Sequence, residues 1–349
     1  MSDEILISAI SEFGAQARFR SEALGDWEFV KKCLILQGVL VSDMNVEYQK
    51  AYFEHFSQQD LSLVFYKRNG TPCGIAPLCI RRHENECFIA TAGLSIEPIQ
   101  FIDNLSNAEQ KRLSKSFLKA LISYSSSQGI REFKCNAYSE QLTDAINGWH
   151  TSCAELADSL NIQHQAHVDL TQDLETLWVS FRKSYRPLIK KAEIIWVSKV
   201  LGSGEIRQCD WVEFKQLHYI AAGNRQTRSD KSWDVQFSQI LDGNAFLVAL
   251  HDQQRRMVGG GFFTFTIDQG MYSVAAYDRS KFDKPLGHLV QWLAIKEFKR
   301  LGMKSYILGD RPYPSDTPTP TDKEINIGLF KEGFATAIRP RFVFCFSPS

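Results

Sequence analysis

The chain has 349 residues, 44% of them hydrophobic and 23% charged, with 40 Lys plus Arg balanced by 40 Asp plus Glu. That length suggests about two domains of roughly 100–200 residues each, with ordinary globular composition. Zero net charge argues against generic nucleic-acid binding, which needs a long-range positive field, and no run approaches the ~18 apolar residues of a membrane helix.

The N-terminus, MSDEILISAISEFGAQARFR, starts acidic and has only a short apolar stretch, so it does not read as a signal peptide and a cytoplasmic protein is expected. Residues 63–67 read as a strand, Asn69-Gly70 as a hairpin turn, and 73–81 and 87–91 as further strands. Residues 108–129 read as a long amphipathic helix, with Leu113, Phe117, Leu118 and Leu121 at helical spacing and Gly129 closing it. Residues 132–136 read as the returning strand.

Residues 174–193 read as one helix carrying FRKSYRPLIKKAE. Arg182, Arg186 and Lys190 stand at i, i+4 and i+8, with Lys183 and Lys191 beside them and no acid before Glu193. Like charges at that spacing cost a few tenths of a kcal/mol per pair. Pro187 is expected to kink the helix. A kinked cationic face fits a phosphate-bearing ligand, and it also fits a plain solvated surface. A polar strand pair is expected around 202–204. His218 falls on a helix with Phe214 and Leu217.

The second half repeats the order of the first. Residues 246–250, 257–266 and 271–277 read as strands, 278–284 as a loop, 285–301 as a helix closed by Gly302, and 305–308 as a strand. LVFYKRNGTPCGIAP and FLVALHDQQRRMVGGG share an apolar strand, a polar turn, and a strand with an early glycine. An α+β protein of two related units is expected, residues 1–165 and 166–349. Each would be a mixed, mostly antiparallel sheet flanked by helices. Glycines 259–261 mark a bulge or a close backbone approach. The proline-rich RPYPSDTPTPTDKE reads as a loop. The loop DRSKFDKPLGH is basic and opens a helix, which suits an anion held on helix-terminal N–H groups.

Eight cysteines include no Cys-x-x-Cys pair, so reduced thiols are expected. His164 and His167 sit in an alternating segment and would point to opposite faces, so no metal site is expected.

Arg186, Ile189, Lys190, Lys191 and Ala192, with HYIAAGNRQTRSDKSWD, YSVAAYDRSKFDKPLGHLVQW, YILGD and KEINIGLFKEGFA, resemble the FemABX family and its GNAT-like relatives. The resemblance covers about residues 170–345, and the first half only as a similar fold. It implies two tandem GNAT-like domains and transfer of an acyl group to an amine. No heptad-rich insertion of the kind that serves tRNA is visible. The chain looks more like relatives that N-acylate nucleotide-linked amino sugars of the dTDP-3-amino-3,6-dideoxyhexose type for surface polysaccharide. Those use an acyl-coenzyme A of the acetyl or hydroxybutyryl class, with no metal, nucleic acid or membrane, as a monomer or dimer. Aminoacyl-tRNA-dependent peptidyl transfer, or a non-catalytic nucleotide-sugar-binding pair, are the alternatives.

The resemblance also distributes roles. The thioester would lie along Val274, Ala275 and Ala276, where small side chains let a pantetheine arm approach the backbone. Its pyrophosphate would rest on the amides from Leu286 through Gly287 to His288, helped by Arg279 and Lys284. A GNAT loop normally carries Arg/Gln-x-x-Gly-x-Gly/Ala, whereas Gly287 is the single glycine here. His218 and Asp278 are candidate general bases, and Tyr277 a donor to the leaving thiolate. Asp278 fits turn capping equally, and His218 and Tyr277 fit structural roles equally. Arg228, Trp233 and Tyr272 would bind the acceptor by stacking and forked hydrogen bonds, with Arg186 and Lys190 near its diphosphate.

Overall fold

A computed structural model describes residues 2–34, 38–103, 105–138 and 146–348. Two compact units emerge, one formed by Met1–Gln163 with Pro340–Ser349, the other by His164–Arg339.

The first unit begins with α1 (Ser2–Glu12), β1 (Gln16–Phe19), α2 (Leu24–Lys32) and α3 (Asp43–Tyr52). Strands β2 (Ser57–Asp60), β3 (Leu63–Tyr66), β4 (Pro72–Ala76), β5 (Cys79–His83), β6 (Glu86–Ala90), β7 (Ser95–Ile96) and β8 (Gln100–Phe101) follow. Then come α4 (Asn107–Ser127), β9 (Phe133–Tyr138) and α5 (Gly148–Leu156). The single strand expected over 73–81 is two strands. Pro77 lies between them and has no N–H for a ladder. β4 pairs with β3, while β5 pairs with β2. β7 and β9 are parallel, and α4 is the crossover between them.

The second unit runs through β10 (Ser159–Asp169), α6 (Leu174–Ser180), α7 (Tyr185–Ile195), β11 (Val197–Leu201), α8 (Gln208–Ala221) and α9 (Asp230–Leu241). It continues through β12 (Ala245–His251), β13 (Met257–Phe265), β14 (Gln269–Tyr277), α10 (Gly287–Arg300), β15 (Ser305–Asp310) and α11 (Asp322–Glu332). Its strand order is β11-β12-β13-β14-β15-β10. β14 and β15 are parallel, with α10 as crossover, and the other recorded pairs are antiparallel. The final strand, β16 (Ala337–Phe346), pairs with β9 through Arg341 to Phe346. The last ten residues therefore belong to the first unit, which is discontinuous in sequence.

Both crossover helices stop in the same way. Gly129 (φ +70°) and Gly302 (φ +80°) take the left-handed conformation that an L side chain resists. Ile130 N–H donates to Ser125 O at 2.9 Å and Met303 N–H to Phe298 O at 3.0 Å, closing Schellman-type ends.

Two expectations about the connecting segment fail. The helix over 174–193 is two helices, and Arg182 and Lys183 lie in the break between them. Pro187 is the third residue of α7, where its missing N–H has no helical acceptor, so it starts a helix and does not kink one. The polar pair around 202–204 is a turn, because β11 takes β12 as its partner.

The second unit's sheet carries a core on each face. Phe246, Val248, Val258 and Phe263 pack with Val290, Ala294 and Phe298 of α10. Leu247, Ala249, Phe262, Val274 and Ala276 pack with Trp211, Phe214 and Leu217 of α8 and Trp233 of α9. Each such aliphatic or aromatic side chain contributes about 1.5–3 kcal/mol on burial. The glycines of β13 permit this fit: a Cβ on Gly261 would stand 2.8 Å from both Phe263 and Val290.

Candidate functional site

Side chains alternate along a strand, so residues five apart should point to opposite faces. In β14 they do not. Phe262 pairs with Val274 and Phe263 with Tyr272, which leaves Ser273 as an extra, bulged residue. Alternation therefore resets. Val274 and Ala276 enter the α8 core, while Tyr272 and Tyr277 both pack on the α10 core. Their hydroxyls meet at 2.9 Å. Ser273 Oγ lies 2.8 Å from Thr264 Oγ1, which ties the bulge to β13.

The same stretch has an open edge. β14 pairs with β15 only through Gln269, Gly270 and Met271. Beyond that point it keeps β13 on one side and has no strand partner on the other among the described residues. An extended ligand could add to such an edge through backbone hydrogen bonds.

At the end of this edge α10 begins. Its N-cap, Leu286, provides no side-chain cap, so the first N–H groups rely on other acceptors. Trp196 Nε1 donates to Pro285 O at 2.7 Å and fixes the approach. A Cβ on Gly287 would sit 3.3 Å from Tyr277 Oη and 3.0 Å from Phe330 Cζ, so the tyrosine hydroxyl stands at the first residue of the helix. His288 is packed edge-on against Tyr185 (4.6 Å) and Phe330 (5.2 Å). Burial lowers its pKa to about 4, which keeps the imidazole neutral. Burial raises Tyr272 to about 12; burial, then the neighbouring Tyr272, hold Tyr277 well above the usual phenol value. Both hydroxyls stay protonated at neutral pH and can donate.

His218, Arg228 and Trp233 come together, but on the α8 face. The His218 ring lies 5.1 Å from Trp233, and the Arg228 guanidinium lies 4.8 Å above it. Arg228 Nη1 also donates to Gln236 Oε1 at 3.2 Å. Burial, then the Arg228 charge, lower His218 to about 4. His218 and Tyr277 thus flank β14 from opposite sides of the sheet. Trp233 is 4% exposed, so the expected stacking platform for an acceptor is instead a core residue. The Tyr272 ring likewise stacks on Phe263 at 5.1 Å, with its hydroxyl on that of Tyr277.

Asp278 caps the turn after β14. Its Oδ1 accepts from Ser280 N (2.9 Å) and Ser280 Oγ (2.7 Å), the capping role that the sequence allowed equally. Arg279 and Lys284 are exposed in the following loop, with Lys284 Nζ 5.8 Å from the Trp196 ring. Val274 and Ala276 are buried and Ala275 half-buried, so this strand offers its backbone edge and not its side chains. Arg186 and Lys190 lie on the outer side of α7, whose Tyr185, Ile189 and Ala192 are buried, and form no ion pair among the described residues. Arg182, outside the helix, stacks on Tyr185 at 5.2 Å and does not share their face. Among the described residues no group of three or more His, Cys, Asp or Glu could hold a metal, and no helix is long and apolar enough to cross a membrane. All eight cysteines are free.

Sequence reasoning missed Ser273, Tyr185 and Gln291. The last is fully buried on α10 and accepts from Tyr306 Oη at 2.5 Å.

No protein-family model and no curated protein sequence matches this chain. Solved structures do. FemX aligns with a TM-score of 0.65 at 14% identity over 94% of this chain and 96% of its own. A tandem GNAT protein from the clavulanic acid biosynthesis pathway aligns at 0.51 and 11% over 96% and 99%. L-PGS from Bacillus licheniformis aligns at 0.50 and 12% over 82% and 84%. The architecture is that of tandem GNAT-fold proteins.

Proposed function

We propose that the chain is an N-acyltransferase that moves an acyl group from an acyl-coenzyme A to the amine of a nucleotide-linked amino sugar. The observation that carries this reading is the open edge of β14 running to the uncapped start of α10, with the Tyr277 hydroxyl at their junction. Pantetheine is an extended diamide, so it suits an unpaired strand edge. A pyrophosphate suits helix-terminal N–H groups, with Arg279 and Lys284 nearby. Gly287 leaves the room there that a side chain would take.

In this mechanism the amine nitrogen attacks the thioester carbon, forming C–N, and the tetrahedral oxyanion collapses with C–S cleavage. The sulfur takes a proton from Tyr277, the amine gives one up to neutral His218, and solvent then returns a proton to Tyr277 and takes one from His218. The net transfer is one proton from nitrogen to sulfur. Arg186 and Lys190 supply unpaired positive charge for the acceptor's phosphates. The nature of the acceptor follows from the sequence resemblance together with these cations.

The test is thiol release with acetyl- to hydroxybutyryl-CoA against a panel of dTDP- and UDP-linked amino sugars. Acceptor-dependent release is the expected result. Absence of release with every pair, together with transfer from aminoacyl-tRNA, would overturn the coenzyme A reading.

A further inference from the structure

We infer that Lys331 determines donor specificity: its ammonium, at the gap between β14 and β15, donates a hydrogen bond to a hydroxyl on the acyl chain and selects 3-hydroxyacyl-coenzyme A over the unsubstituted acyl-coenzyme A. The inference rests on the acyl-transfer reading and narrows its donor.

β14 and β15 stay paired as far as Met271 and Ile307 and then part. One wall of the gap is the open edge of β14. The other is the end of β15, where Gly309 and Asp310 have β10 as their partner. A donor whose pyrophosphate rests at the start of α10 enters from the Tyr277 end. Its arm then runs back along β14 towards Met271, and the acyl chain is the part that comes nearest to Gly309.

α11 reaches both ends of this path with two adjacent residues. Phe330 Cζ lies 3.0 Å from where a Cβ on Gly287 would stand, at the start of α10. Lys331 Nζ lies 2.6 Å from where a Cβ on Gly309 would stand. The amine thus takes the place of a side chain at residue 309, and the glycine, at φ +108°, leaves that place open.

Lys331 is half-buried and makes no hydrogen bond or ion pair through its side chain among the described residues. An ammonium carries three N–H donors and no acceptor, so a ligand oxygen at Gly309 would meet a donor with no competing partner. Asp310, the next residue of β15, acts on Lys331 from beyond ion-pair distance; burial lowers the lysine pKa and the Asp310 charge opposes that. Asp310 would repel a carboxylate on the acyl chain, whereas a neutral hydroxyl meets no such cost.

The test is calorimetry with 3-hydroxybutyryl-CoA and butyryl-CoA, which differ by one hydroxyl. Wild-type protein should bind the hydroxylated donor about tenfold more tightly. Lys331→Met should remove that preference and leave the affinity for butyryl-CoA within about twofold, while Lys331→Arg, which keeps a donor, should retain at least about threefold. Equal affinities in wild type would overturn the inference without any variant, and so would a preference that survives in Lys331→Met. Equal weakening of both donors in Lys331→Met would place the ammonium on the thioester carbonyl they share, and would overturn it too. Binding of coenzyme A without a preference between the two donors defeats this inference alone. Failure of wild-type protein to bind coenzyme A at all defeats the acyl-transfer reading, and this inference with it.

Discussion

Tyr272 and Tyr277 place their hydroxyls 2.9 Å apart although five residues of one strand separate them. In a regular strand the sheet would lie between the two rings. The bulge at Ser273 removes that parity and brings both to the α10 side. Tyr277 should then matter through its hydroxyl alone. Tyr277→Phe is expected to lower kcat for acyl-CoA-dependent thiol release about 100-fold, with KM for the donor within about twofold. An unchanged kcat would remove Tyr277 from the chemistry.

Acid should destabilise the second unit. His167 is lowered to about 4 by burial and then by the Arg339 charge; His218 and His288 are lowered to about 4 as well. The unfolded value is about 6.5. Between pH ~4 and ~6.5 the unfolded chain binds more protons at these positions, so stability rises with pH there. The contribution is complete above ~6.5 and is lost as pH falls towards 4. Urea midpoints at pH 7 and pH 5 should differ in that sense, and His167→Gln should shrink the difference. Equal midpoints for wild type would contradict the assignment.

A carboxyl in the first unit should act in the opposite direction. Glu97 is 3% exposed, accepts from Asn136 Nδ2 at 2.7 Å, and is held above the usual carboxyl range by burial, against the hydrogen bonds from Asn136 and Tyr138 and the Arg341 charge. The folded state therefore retains a proton that the unfolded state releases above ~4.5, and stability falls as pH rises through that window. Glu97→Gln keeps an oxygen for Asn136 and removes the titration. Its urea midpoint relative to wild type should be higher at pH 8 than at pH 5. A variant equally weakened at both values would show that the ionised form is the one the fold needs.

Gly261 tests the close packing beneath α10. Adding a methyl group there meets Phe263 and Val290 at 2.8 Å, whereas Gly204 has open space around it. Gly261→Ala should cost about 1–3 kcal/mol in equilibrium unfolding, and Gly204→Ala should lie within about 0.5 kcal/mol of wild type. Matching losses would mean that the α10 core relaxes around the methyl group.

Much of this fold could be read from local patterns. The β12–β13–β14 strands, α10 and β15 follow from alternation, helical spacing and Gly302, because each depends on neighbours close in sequence. The split at Pro77 is also local, because a proline has no N–H for the ladder, although 73–81 reads as one apolar run. The bulge at Ser273 was not legible, since YSVAAY alternates like any strand, and the extra residue is defined only by its register against β13. For the same reason sequence could not tell that His218 and Tyr277 lie on different faces, or that Trp233 is core. Gln291 looked like one polar residue on an amphipathic helix. Its buried oxygen accepts from Tyr306, fifteen residues away, a contact that local spacing does not encode.

Gly333 offers a way to disturb the donor end without altering any residue that would touch it. It closes α11 at φ −64°, a conformation open to alanine, but a Cβ would collide with the Tyr185 ring. Tyr185 donates from its hydroxyl to Phe330 O at 3.2 Å and packs edge-on to His288 at 4.6 Å. Displacing that ring should shift His288 and Phe330, which border Gly287 at the start of α10. Gly333→Ala is therefore expected to weaken coenzyme A binding about tenfold in calorimetry, as a small misplacement of binding groups does. Tyr185→Phe, which keeps the ring and loses only the hydroxyl's bonds to Phe330 O and from Arg182 Nη1, should stay within about threefold of wild type. Equal losses in the two variants would make the hydroxyl, and not ring position, the support of that end of the site.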